Sequence, residues 1–177
     1  MMSDLVESIQ FKLKSAKYHH DRCFEVLNKP ILFDNDEDRI VAISSELTAM
    51  MLTFQSIIDL LAQLINSKRN LKLDPGNLYF SRLNLKSPEI KDIKETIDGL
   101  QSSSHYLFAY CNTVKHRNLI KVSDEWTFIS PGMSNQQYYV DSFERNRIKY
   151  ERKNVNSILH EIFNYMSEKV PYILSQV

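Results

Sequence analysis

Turn-forming residues are scarce in this chain, with three glycines and five prolines among 177 residues. That scarcity excludes an all-β fold rich in tight turns and favours long helices. Cysteine is equally sparse. Cys23 and Cys111 lie far apart and match neither CxxC nor Cys/His zinc spacing. They read as two reduced, buried thiols of a cytosolic, cytoplasmic protein, with no metal and no cofactor expected. Net charge is absent, since 22 Lys+Arg balance 22 Asp+Glu. No global field therefore calls for a nucleic acid or a membrane. The greasiest stretch, 49–65, is interrupted by Gln55, Asp59 and Gln63. It is too short and too polar to span a bilayer and reads as a core helix. Asp4 and Glu7 stand where a signal peptide would carry its apolar region. Gly-rich phosphate loops, a Ser/His/Asp arrangement and paired catalytic carboxylates are missing.

What is present is periodic. A chain 43% hydrophobic and 25% charged is an ordinary globular composition, and residues 1–177 are expected to form a single domain. At about 100° per residue, Ile9, Leu13, Ala16, His20, Cys23 and Leu27 stripe a first helix from Ser3 to Leu27. Ile40, Ile43, Leu47, Met50, Phe54, Ile57, Leu61 and Leu64 stripe a second, launched by the acidic Asp34-Asn35-Asp36. Ser87-Pro88-Glu89 starts a third that runs to about Arg117, with Gly99 and the serines 102–104 as weak points. The period then changes. Trp126–Ile129 and Tyr138–Val140, separated by Ser130-Pro131-Gly132, predict a small hairpin or meander, with a short strand near 147–150. A last helix from about Asn154 carries Val155, Ile158, Ile162, Met166, Val170, Ile173 and Val177, and Pro171 should bend its end. The expected fold is all-α: a four-helix bundle with a small β-hairpin or meander inserted between the third and fourth long helices.

The end of the third helix gathers Asn112, Lys115, His116, Arg117 and Asn118 within two turns. Leu107, Cys111 and Val114 share its apolar stripe, while His105, Asn112 and His116 share a stripe nearly opposite. A helix packed through the first face presents the second to solvent or a ligand. A histidine near neutral pKa takes or gives a proton, and adjacent cations stabilise developing negative charge. His116 and Arg117 are therefore the candidate catalytic residues, and Asn112, Lys115, Asn118 and His105 the candidate substrate-binding ones. The same turn also reads as a C-terminal cap whose cations complement the helix dipole.

The segment Asn112-x-x-Lys115-His116-Arg117, followed by Leu119-Ile120, a short β-rich insert and a final helix, resembles the HEPN superfamily, in particular a prokaryotic HEPN-like subgroup. The resemblance implies a helical homodimer with its polar segments near the shared interface. It also implies either a metal-independent endoribonuclease of toxin–antitoxin or phage-defence systems, or a non-catalytic RNA- or nucleotide-binding module. Nuclease members carry an Arg, then four to six residues, then a His; here His116 precedes Arg117. The competing reading is a protein–protein module that docks a partner such as an antitoxin.

Two other groups have open readings. His19-His20-Asp21 has a metal-like composition, but consecutive helical side chains point apart, and His20 belongs to the core stripe. Tyr138, Tyr139 and Tyr150, interleaved with Arg145, Arg147, Lys149, Arg152 and Lys153, fit base stacking with phosphate contacts. They fit equally the alternation of a half-exposed strand.

Overall fold

The structure, a computed structural model, describes residues 2–29, 36–74, 78–80, 83, 88–116, 120–130 and 133–177. Helix α1 (Met2–Leu27) and helix α2 (Asp36–Lys68) pack along one another as an antiparallel pair. Ile9, Ala16 and Cys23 meet the stripe Ile43, Leu47, Met50, Phe54, Ile57 and Leu61, and all are fully buried. Ser3, where the sequence starts this helix, lies inside its first turn and donates to the Asp4 carboxylate. Helix α2 stops at Asn70, whose φ of 50° is left-handed, while the Leu71 N–H reaches back to the Asn66 carbonyl at 3.1 Å. The Asn66 side chain then both accepts from Leu73 N and donates to Leu73 O. These bonds occupy backbone groups that a helix end otherwise leaves unpaired.

The third helical stretch differs from expectation. Pro88–Ile90 makes a single 3-10 turn, and regular helix begins only at α3 (Lys94–Ser103). The chain breaks at Ser104 and resumes as α4 (His105–His116). Helix α5 (Val155–Gln176) begins on Asn154, whose side chain accepts from the Asn156 and Ser157 N–H groups at 2.9 and 3.4 Å. It runs through Pro171 and still buries Ile173. Helices α4 and α5 pack on α2, and α3 packs on α4 and α5.

Between α4 and α5 lies more sheet than a hairpin. Strands β1 (Val122–Ser130) and β2 (Met133–Val140) pair antiparallel, Val122 opposite Val140 and Trp126 opposite Gln136. Strand β5 (Lys153–Asn154) adds to the β2 edge, while β3 (Phe143–Arg145) and β4 (Ile148–Tyr150) form a separate ribbon. Val122, Tyr138 and Val140 bury their side chains into the helical core. The all-α four-helix bundle is thereby corrected. The fold is mixed: the described residues form five α-helices and two small antiparallel sheets. The physical reason is the period-two, aromatic and β-branched pattern of the segment after Ile120, which sustains a full ladder. The broken third helix adds the extra helix.

Helix α2 has the length and apolarity of a membrane span, yet 56% of its most apolar window is buried. Its contacts with α1, α4 and α5 account for that burial as they would in the core helix of a globular domain.

Candidate functional site

Helix α4 exposes the stripe the sequence assigns to it. Leu107 and Cys111 are buried and Val114 is partly buried, whereas His105 and His116 are exposed and Asn112 is half-buried. Ala109, Tyr110 and Thr113 are also buried, so α4 is clasped on more than one side. The Tyr110 hydroxyl bonds Thr48 on α2 at 2.8 Å. This wedged helix holds its last turn at a fixed place beside α2.

That last turn forms one wall of a groove of about 520 Å³, lined by Asn112, Lys115, His116 and Phe108 from α4, Gln55 and Asp59 from α2, and Tyr79 and Phe80. The Lys115 ammonium donates to Gln55 Oε1 at 2.7 Å. Burial pushes the Asp59 carboxyl above its ordinary range, and the Lys115 charge pulls it part of the way back. Burial likewise pushes the Cys111 thiol behind the groove up to about 12, against the pull of Lys115, so it is no nucleophile at neutral pH. The Asn112 and His116 side chains make no hydrogen bond to any described residue. Tyr79 is half exposed and Phe80 buried, so the segment after α2 builds the aromatic side of the groove.

Three of the six sequence-derived residues thus converge: Asn112, Lys115 and His116. His105 does not join them. It stands at the other end of α4, about 16 Å away along the helix axis, stacked on Tyr150 with its Nδ1 3.0 Å from the phenol oxygen. Arg117 and Asn118 lie outside the described residues. The sequence reading missed Gln55, Asp59, Tyr79 and Phe80. A signal for the first two was present: they are the polar breaks in the apolar run of α2, four residues apart and so on one face. Nothing in the sequence placed Tyr79 or Phe80.

The other open groups resolve into internal contacts. His19 donates to Glu46 across the α1–α2 seam at 2.7 Å, and His20 stacks on Phe163 with centroids 4.1 Å apart. Among the described residues no three His, Cys, Asp or Glu converge on one point. In the sheet region the Arg152 guanidinium lies 4.0 Å over the Tyr139 ring and pairs with Glu125. Lys149 pairs with Glu151 and Lys153 with Glu161. Tyr138 is buried, and Tyr150 stacks on Phe143. The rings that a base would need are already covered by the protein itself, which favours the half-exposed-strand reading. No protein-family model, no curated protein and no solved structure matches this chain.

Proposed function

We propose that this chain engages RNA or a nucleotide through the groove between α2 and α4, as a cytoplasmic protein. One observation carries the reading. An amide and an imidazole whose side chains have no hydrogen-bond partner among the described residues, Asn112 and His116, share a groove with an ammonium and with aromatic side chains. Aromatic rings offer base-stacking surface, Lys115 and His116 suit phosphate oxygens, and an amide suits a base edge. The likeness of Asn112–Ile120 to HEPN-like proteins points the same way.

The groove also holds an imidazole, His116, and a carboxyl, Asp59, that burial pushes above its ordinary range. A metal-independent cleavage by transesterification needs a base for the 2′-hydroxyl and a cation for the phosphorane oxygens. His116 or Asp59 fills the first role and Lys115 the second. Cleavage of a structured RNA with EDTA present, by wild type and by His116→Ala, is the test. Activity in the wild type that the variant loses supports the nuclease form of the proposal. Salt-sensitive RNA binding without cleavage leaves the binding form, and neither binding nor cleavage removes both.

A second reading, a self-associating protein module, is favoured by Phe11 and Tyr18. They are 72% and 60% exposed, two turns apart on the outer stripe of α1. The occupant of that stripe would be a second copy of the chain. Sedimentation should then show a dimer that Phe11→Glu dissociates.

A further inference from the structure

The groove between α2 and α4 holds one group that phosphate contacts leave unexplained. Asp59 lies one turn after Gln55 on the same face of α2 and lines the groove with Asn112, Lys115 and His116. It makes no hydrogen bond among the described residues, and the interaction it has is with the Lys115 charge. Without a partner, and not among the buried unpaired groups, its carboxylate oxygens are open to the solvent. Such a group repels a phosphate. It suits an edge that donates.

A carboxylate only accepts, through two oxygens, and it pairs best with two N–H groups held side by side. Among the four RNA bases guanine alone presents that edge, with N1–H and the N2 amino group adjacent and the O6 carbonyl beside them. Uracil sets its single N–H between two carbonyls. Adenine and cytosine set a ring-nitrogen acceptor beside their amino group, so each would turn a lone pair toward the acid. The O6 carbonyl needs a donor, and the unpartnered Asn112 amide supplies one from the same groove. Lys115 and His116 are left for phosphate, and the partly buried Phe108 and half-exposed Tyr79 for the face of the ring. Two other occupants fit less well. An arginine side chain offers the same paired N–H groups but brings its charge toward Lys115. A metal ion finds too few ligands, since among the described residues no three His, Cys, Asp or Glu converge. The groove's volume of about 520 Å³ lies within the range of small-molecule sites, about 300–1,000 Å³.

We infer that the α2–α4 groove selects guanine, with the Asp59 carboxylate accepting from N1–H and the N2 amino group and the Asn112 amide donating to O6. The inference rests on the reading of the groove as an RNA or nucleotide site. Fluorescence anisotropy of short labelled oligouridylates tests it, the central base being uracil, guanine, inosine's hypoxanthine, adenine or cytosine. The guanine strand should bind about tenfold more tightly than the uracil, adenine and cytosine strands. The hypoxanthine strand, which lacks the N2 amino group, should fall between. Asp59→Asn should weaken the guanine strand about tenfold and, with the repulsion of phosphate gone, tighten the all-uracil strand about two- to fivefold. Asn112→Ala should shrink the guanine preference about threefold. Equal binding of all five strands by the wild type overturns the inference and leaves the RNA reading standing, whereas binding of none removes both. A hypoxanthine strand bound as tightly as guanine overturns the inference, because the N2 amino group is then not read. A guanine preference that survives Asp59→Asn overturns it as well.

Discussion

Burial works against the charged form of Asp59, and the Lys115 charge works for it. Burial raises its folded-state pKa more than Lys115 lowers it, so the folded chain holds that proton more tightly than the unfolded chain does. The corresponding stability is fully present below the unfolded carboxyl value of about 3.9 and is lost as pH rises through the raised folded value. At pH 7 the charge is a net cost. Asp59→Asn should therefore stabilise the protein at pH 7 by about 0.5 kcal/mol, a figure kept small because the group is only about half buried and solvent screens it. Near pH 3 the gain should disappear. Urea unfolding at both pH values checks this, and equal stability of the two proteins at pH 7 would contradict it. The same substitution separates the two forms of the proposed function. If the carboxylate merely repels phosphate, Asp59→Asn tightens RNA binding about two- to fivefold. If it moves a proton, cleavage falls while binding holds or improves.

At the scale of elements, the two-residue turn from β3 to β4 places Asn146 at φ 53° and Arg147 at φ 64°. A two-residue hairpin of this twist requires positive φ at both positions, and asparagine followed by glycine is its favoured sequence. Arginine carries a Cβ that the left-handed region penalises by about 1–2 kcal/mol, partly offset by the backbone freedom glycine has to lose. Arg147→Gly should raise stability by about 0.5 kcal/mol, read as a higher urea midpoint at constant slope; a lower midpoint would contradict it. The start of α5 works in the opposite sense. Asn154→Ala removes the acceptor for two backbone N–H groups and should cost about 1 kcal/mol, with Asn154→Asp retaining most of it. What could be read from sequence divides along the same physics. Helices α1, α2 and α5 were legible because each keeps an apolar stripe for five turns or more, and long periods outvote single residues. The β1–β2 pairing was legible from alternation, although both strands run longer than their aromatic centres suggested. The break at Ser104 was not, because three serines and Gly99 mark a weak helix without saying where tertiary packing will bend it. His105 was misplaced for that reason: a helical-wheel stripe records angle and ignores the length that parts the two ends of α4. The groove was half legible. Its α4 wall follows from one stripe, whereas its α2 wall needs the packing of two helices far apart in sequence.

For the whole molecule, zero net charge means that no long-range field would draw RNA in, so the proposed affinity would have to come from the local cations. Which cations are available can be told from their partners. Arg152, Lys149 and Lys153 are held by Glu125, Glu151 and Glu161, and releasing them would uncover those carboxylates. Lys115 sits on a neutral amide, and its sequence neighbours Arg117 and Lys121 complete a segment without an acid. Three cations on single-stranded RNA correspond to a slope of log K against log salt of about −2, at roughly 0.7 per phosphate contact. Fluorescence anisotropy of a labelled single strand across a salt series measures it. Lys115→Ala should flatten the slope by about 0.7, whereas Arg152→Ala should leave it unchanged, because Arg152 serves Tyr139 and Glu125. A steeper slope that Arg147→Gly flattens would move the RNA onto the β3–β4 ribbon. A slope near zero would remove phosphate contacts from the groove altogether and leave a neutral ligand as its occupant.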